Sequence, residues 1–191
     1  THLHPPQGDE VIVKIKAAGI CHTDWDSLSW GKRLVIGHEG AGIIDSIGPA
    51  VKQLKPGDAV ILNWAVPCYH CFQCRAGNEH ICEVNSAVTA GNKISGGHAT
   101  FTSTTLNGNP VERSFSLGTM SEYALVREAA CVKMPEPIPF PSAAIVGCGV
   151  MTGFGSVMNA AKVKPGTSVV VLGLGGVGLN VIQAARIAGA Q

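Results

Sequence analysis

The sequence is short of charge. Its 14 Lys and Arg and 13 Asp and Glu make up 14% of 191 residues and leave a net charge of +1, against about 25% charged residues in an average soluble domain. That balance excludes the basic footprint of a nucleic-acid binder or of a protein drawn to anionic membranes. Long apolar runs are missing too: none reaches the roughly 18 residues of a membrane span. The cysteine count, 7, is odd and does not suit a simple disulfide framework. The cysteines cluster, which suits metal and a reducing, cytoplasmic setting. The chain opens on Thr1 rather than Met, and a preceding segment is expected. What is plentiful is glycine, 24 residues, which points to tight turns and close backbone approaches. Hydrophobic residues, at 46%, are sufficient for a core.

Short strands alternating with glycine turns dominate the first part. Residues 11–16 place Val11, Val13 and Ile15 on one face and Ile12, Lys14 and Lys16 on the other, the pattern of a half-buried strand. Residues 25–34 carry no clear period and read as loop or short helix. Strands are expected at 40–47 and, after the turn Lys55-Pro56-Gly57-Asp58, at 59–62. Residues 91–110 read as loop with at most short strands. Two more strands are expected at 121–126 and 130–133, with Cys131 a small buried thiol in the second. Four prolines at 135–141 break the chain. Ser142 then caps a helix over 143–146, and 153–161 reads as a second helical stretch. Residues 168–172 are apolar and β-branched, as in a strand buried on both faces. The pattern divides the chain into 1–163, β-rich with connecting helices, and 164–191, the start of a second domain.

Three groups of residues carry chemistry. Cys68, Cys71, Cys74 and Cys82 place four thiols within 15 residues. Four thiolates close a tetrahedral shell around zinc and leave no open position, so such a site holds structure without doing Lewis-acid chemistry; disulfides and an iron–sulfur cluster are the alternatives to it. His70 and His80, in the same lobe, read as solvated surface. Cys21, His38 and Cys148 offer one imidazole and two thiols, a ligand set for a catalytic zinc with its fourth position open, although buried thiols and a satisfied core histidine would leave the same residues. Gly173, Gly175 and Gly178, within Gly-Leu-Gly-Gly-Val-Gly at 173–178, follow the apolar run and open a helix over 177–188. That context is the one a dinucleotide turn needs, with Gly173 for the tight turn, Gly175 for pyrophosphate approach and Gly178 for helix–strand packing; an ordinary glycine-rich corner is the alternative.

Gly-Ile-Cys-His-Thr-Asp at 19–24, Gly-His-Glu-Gly at 37–40, the cysteine lobe at 68–82, Gly-Cys-Gly-Val at 147–150 and the glycine turn occur together and in order. The chain resembles the zinc-dependent medium-chain alcohol dehydrogenase family from about residue 11 to its end. The resemblance implies an α/β protein: a β-rich GroES-like catalytic domain followed by the start of a Rossmann, doubly wound nucleotide-binding domain. It implies two zinc ions per chain, a catalytic one on Cys21, His38 and Cys148 and a structural one on Cys68, Cys71, Cys74 and Cys82. It places Thr23 on the alcohol at the start of the proton's exit, Asp24 on the second ring nitrogen of His38, and Glu39 beside the metal. His22 falls near the cofactor pyrophosphate, Thr152 near the nicotinamide, and Gly173, Gly175, Gly176, Val177 and Gly178 at the dinucleotide turn. Trp64 falls where the family has a bulky residue lining the alcohol pocket.

The implied reaction is hydride transfer between a primary or aromatic alcohol and NAD or NADP, giving the aldehyde. Sorbitol-type relatives typically carry a carboxylate where this chain has Cys148. The chain departs from the liver-type members at Asp26, where they carry the histidine that ends the proton relay. A formaldehyde dehydrogenase acting on a glutathione or other thiol adduct is the close alternative; its arginine before the strand around Phe101 is matched here by Thr100. A non-catalytic zinc-stabilised module is the alternative from another class. The partners expected are a small alcohol or aldehyde, with no nucleic acid and no membrane. The 191 residues are expected to be a fragment, cut at both ends and inactive alone, of a homodimeric or homotetrameric enzyme.

Overall fold

A computed structural model describes residues 2–31, 33–84 and 104–191. Residues 91–103 of the loop expected over 91–110, and the comparison at Thr100 and Phe101, lie outside them. The described chain runs through β1 (His2–Leu3), β2 (Glu10–Ala18), α1 (His22–Ser27), β3 (Leu34–Val35), β4 (Gly40–Ile47), β5 (Ala59–Leu62) and α2 (Phe72–Arg75). It continues through β6 (Thr104–Leu106), β7 (Asn109–Pro110), β8 (Glu112–Arg113), β9 (Tyr123–Arg127), β10 (Cys131–Lys133), α3 (Phe140–Ala144), α4 (Met151–Gly155) and α5 (Gly176–Ile187). No helix among the described residues is long and apolar enough to cross a membrane.

Five strands form the central antiparallel sheet, in the order β10-β5-β4-β2-β9. The alternation read in the sequence sets its faces: Val11 and Val13 are fully buried while Lys14 and Lys16 are exposed. Val11 pairs with Ile47 and Val13 with Ile44, and shifts of register between Ile12 and Val13 and between Ile15 and Ala17 bend β2, as bulges do. With Val60, Leu62, Leu117, Ala124 and Val126 these side chains make the main core. Cys131 packs against that core half-buried, and burial pushes its thiol pKa up to about 12. It behaves as the small apolar residue expected.

Two helical expectations shift. The helix placed over 143–146 begins earlier, at Phe140, with Pro139 as its N-cap; Pro141 in its first turn lacks only an N–H that would have no partner there. Residues 25–34 hold the end of α1 and the short strand β3. Beyond α3 the chain stays helical through Val146–Val150 and Ser156–Ala161, both π-helical, and α4 lies between them.

The apolar run at 168–172 has no strand partner among the described residues, with Val170 85% and Leu172 94% exposed. A strand exists through its neighbours' hydrogen bonds, and apolar residues alone do not supply them. The helix after it forms as expected: α5 packs Ala184 and Ala185 against Val157, Phe154 and Val163. The connecting helices and the last segment therefore share one small core.

Candidate metal centres and dinucleotide turn

The sheet brings the first two members of the dispersed trio together. Ala18 at the end of β2 pairs with Gly40 at the start of β4, so the segments 19–21 and 38–39 leave the sheet side by side. Gly19 N–H donates to the Glu39 carbonyl at 3.2 Å. A side chain at Gly19 would collide with the Glu39 carboxylate, and one at Gly37, whose φ is +100°, would meet the backbone nitrogen of Met120 at 2.5 Å. Gly37 demands glycine by its φ and by the backbone it meets, and a side chain at Gly19 would displace the Glu39 carboxylate. The third member arrives from the other side. The π-helical segment Val146–Val150 lies on the end of β5, close enough that a Cβ on Gly147 would overlap the Leu62 carbonyl.

The ligand atoms of Cys21, His38 and Cys148 all lie within 4.8 Å of one another. A tetrahedral zinc with bonds to sulfur of about 2.3 Å spaces its ligands about 3.8 Å apart, so the trio fits in size and donor type. His38 is 2% exposed. Its Nδ1 lies 2.9 Å from Oδ1 of Asp24, itself buried. A buried carboxylate accepts, so Nδ1 carries the proton and Nε2 keeps the lone pair a metal needs. Asp24 is held in turn, its Oδ2 accepting from Cys21 N–H at 3.0 Å while its carbonyl accepts from Ser27 Oγ at 2.6 Å. Replacing Asp24 by Asn keeps the volume but loses the charge and one acceptor. Asp24→Asn is expected to weaken zinc binding at this trio about 10- to 100-fold, read by competition with a chelator; an unchanged affinity would remove Asp24 from this role.

Glu39, also buried, accepts from Gly149 N–H through Oε1 at 3.1 Å. It therefore ties the Cys148 segment to the His38 segment. Burial pushes the Cys148 thiol pKa up to about 12, with Cys21 and Glu39 adding to the rise. Thr23 is half-buried, its Oγ1 3.8 Å from the Cys21 sulfur. His22 and Asp26 are exposed and face each other, Nδ1 to Oδ2 at 3.4 Å.

The four-cysteine lobe closes as its spacing requires. All four sulfurs lie within 4.8 Å of one another. Cys68 N–H points at the Cys82 sulfur at 3.3 Å, Cys71 N–H at the Cys68 sulfur at 3.3 Å, and Cys74 N–H at the Cys71 sulfur at 3.5 Å. The Cys74 amide is the leading cause that lowers the Cys71 pKa, whereas burial pushes Cys74 up to about 12. His70 and His80 are exposed and stand in neither ligand group.

At the glycine turn, a side chain at Gly178 would run into the Gly173 carbonyl, and Gly173 has a φ of +96°. Nothing lies within 4 Å of a Cβ placed on Gly175 or Gly176. The turn is packed where helix meets chain and open where a phosphate could approach the start of α5. Thr152 is exposed in α4, its carbonyl accepting from Ser156 Oγ at 2.7 Å.

Sequence reasoning missed the rings around His38. Phe115 has its ring centroid 4.7 Å from the imidazole, 5.3 Å from Trp64 and 6.4 Å from Trp30. Trp64 was legible through the resemblance; Phe115 and Trp30 belong to no motif.

A family model described as the alcohol dehydrogenase GroES-like domain matches residues 7–136. The S-(hydroxymethyl)glutathione dehydrogenase of Paracoccus denitrificans is 40% identical over 195 residues, spanning 100% of this chain and 52% of the relative. The alcohol dehydrogenase class-3 of Cereibacter sphaeroides is 39% identical, spanning 100% and 51%. Among solved structures, the benzyl alcohol dehydrogenase of Acinetobacter calcoaceticus superposes with a TM-score of 0.80 at 37% identity, over 100% of this chain and 51% of that one. An alcohol dehydrogenase zinc-binding domain protein from Burkholderia ambifaria does so with a TM-score of 0.82 at 35% identity, over 99% and 52%. The chain spans about half the length of the curated relatives it matches.

Proposed function

The chain belongs to the alcohol dehydrogenase GroES-like domain family, and from that premise we propose that the protein containing it oxidises a primary alcohol to the aldehyde with NAD or NADP. Residues 1–163 form its metal-holding catalytic part and residues 164–191 begin its nucleotide-binding part. The observation that carries the reading is the pairing of two donor sets of different kinds, one of three ligands and one of four. The four cysteines fill a tetrahedral shell, and Cys21, His38 and Cys148 leave one position for a substrate oxygen. Zinc held by Cys21, His38 and Cys148 would supply Lewis-acid polarisation of the alcohol oxygen, and a nicotinamide would supply the hydride acceptor.

The chain's own residues do the rest. The two cysteine sulfurs, as thiolates, offset the charge of the ion. Asp24 keeps the His38 proton on Nδ1 and the metal-facing nitrogen free. Glu39 holds the Cys148 segment in place through the Gly149 amide. Thr23 takes the alcohol proton at its hydroxyl and passes it toward solvent, where the His22–Asp26 pair stands. Asp26 fills the relay position with a carboxylate in place of an imidazole. His22 and Thr152, both exposed, would meet the cofactor at its pyrophosphate and its nicotinamide respectively, and Gly173, Gly175, Gly176, Val177 and Gly178 would receive the pyrophosphate at the start of α5.

A second reading has support in the Paracoccus relative: the alcohol would be the hydroxymethyl adduct of glutathione. Both readings need the trio. Alcohol-dependent NADH formation should be abolished in Cys148→Ala, and activity equal to wild type in that variant would overturn the proposal.

A further inference from the structure

We propose that Thr119 is a positioning residue for the metal centre: it seats one branch of its side chain on each of the two glycines that bracket His38 and Glu39, and so fixes the backbone from which both side chains project. The proposal rests on the reading of Cys21, His38 and Cys148 as a zinc site and adds to it a residue outside the ligand set.

Thr119 arrives at the end of a tight turn. Phe115, Ser116 and Gly118 have φ of 51°, 60° and 66°. Non-glycine residues persist in the left-handed region where their surroundings over-determine them. Two anchors do so here, one on either side of Gly118. Leu117 is 1% exposed in the main core, and Thr119 is fully buried. The backbone beyond the turn is tied to the segment that enters His38. Thr119 N–H donates to the Gly37 carbonyl and Met120 N–H to the Ile36 carbonyl, both at 3.0 Å.

The side chain adds a second hold. A Cβ built on Gly37 would lie 2.5 Å from Thr119 Oγ1, and one built on Gly40 would lie 2.6 Å from Thr119 Cγ2. The two branches occupy the space that the two glycines leave, and His38 and Glu39 are the two residues between those glycines. A β-branched side chain has few χ1 choices, so a shift at one glycine is resisted through the other. Leu62 Cδ1 also reaches the Gly40 position, at 3.4 Å, and the Leu62 carbonyl is where Gly147 rests. A line of close approaches thus runs from Thr119 through Gly40 and Leu62 to the Cys148 segment. What Thr119 contributes is shape. Its Oγ1 is buried with no hydrogen-bond partner among the described residues, which is a cost rather than a gain. Valine offers the same two branches without that cost, whereas serine keeps the hydroxyl and loses a branch.

The test is chelator competition for zinc in the wild type, Thr119→Val and Thr119→Ser, with the visible bands of the cobalt-substituted proteins reporting ligand geometry. The ion and the bands that belong to the trio are those missing from Cys148→Ser. Thr119→Val is expected to hold zinc at the trio within about twofold of wild type. Thr119→Ser is expected to weaken it about three- to tenfold and to shift the cobalt bands of the trio, with the four-cysteine ion unchanged. Wild-type affinity and bands in Thr119→Ser would overturn the inference. Weakening of both ions together would do the same, since that is the mark of a core filler whose loss loosens the whole domain. A tenfold weakening in Thr119→Val would also overturn it, on a scale of about 1.4 kcal/mol per tenfold, by assigning the role to the hydroxyl; this outcome is readable even if Thr119→Ser fails to fold. Wild-type protein that holds no zinc at the trio would overturn the dehydrogenase reading itself.

Discussion

Cys148→Ser and Cys74→Ser should each cost the protein one zinc, and not the same one. Elemental mass spectrometry after dialysis against metal-free buffer is expected to find two zinc ions per wild-type chain and one in either variant. The reason lies in the two donor sets, which share no residue. Removing one of three ligands leaves only Cys21 and His38, too few to keep the ion through dialysis. Removing Cys74 opens the four-cysteine shell, whose ligands all come from the one short loop 68–82. A structural zinc contributes its binding free energy to the order of the segment that holds it, so Cys74→Ser is expected to unfold the lobe locally, and Cys148→Ser is not. A Cys148→Ser protein that retains two zinc ions would refute the trio.

The same thiols give the pH dependence its sign. Burial pushes Cys74 and Cys148 up to about 12 in the metal-free protein, so both are protonated at neutral pH. Zinc binding must release those protons. Affinity therefore falls as pH falls, about tenfold per pH unit for each thiol that must be deprotonated, and both sites should empty progressively on acidification. Zinc release that is flat between pH 8 and pH 5 on a titration scale of about tenfold per unit would contradict this.

Gly147→Ala should weaken zinc binding at the trio while leaving the lobe unchanged. A Cβ at this position overlaps the carbonyl oxygen of Leu62, and that oxygen belongs to the backbone at the end of β5, beneath a side chain that is fully buried. A flexible side chain could swing aside; a carbonyl in a sheet cannot. The Val146–Val150 segment must then lift, and Cys148 moves with it. Overpacking of this kind costs about 1–3 kcal/mol, which at the metal appears as about a 10- to 100-fold loss of zinc affinity. Gly155 is the control, because the nearest atom to its added Cβ is Asn159 Nδ2 at 4.0 Å. Gly155→Ala should leave zinc binding unchanged and slightly favour its helix. Chelator competition on the two variants separates them, and equal affinities would mean that the contact at Leu62 yields.

The sequence by itself determined the chemistry-bearing residues. Cysteine spacing at 68–82 is local, so four thiols on one short loop announce their own ligand set. The alternation at 11–16 and the apolar stretches at 40–47 and 59–62 foretold strands that the sheet contains, because period two follows from strand geometry itself. Cys21, His38 and Cys148 were joined only through the resemblance, since no local rule links residues so distant. The tertiary structure supplies that link: Ala18 pairs with Gly40, and Gly147 rests on Leu62.

Other features belonged to the tertiary structure alone. Residues 168–172 have the composition of a buried strand but no partner to pair with among the described residues. Composition states what a segment can do, and neighbours decide whether it does it. Asp24 was expected on His38 from the family pattern, yet which ring nitrogen it holds is a matter of distance. Phe115 lies in no motif, and nothing in Ser114-Phe115-Ser116-Leu117 signals a left-handed backbone. Its ring reaches His38 because the chain must turn sharply to bury Leu117 in a core assembled from strands far away in the sequence. Long-range packing of that kind leaves no periodic trace in the chain that carries it.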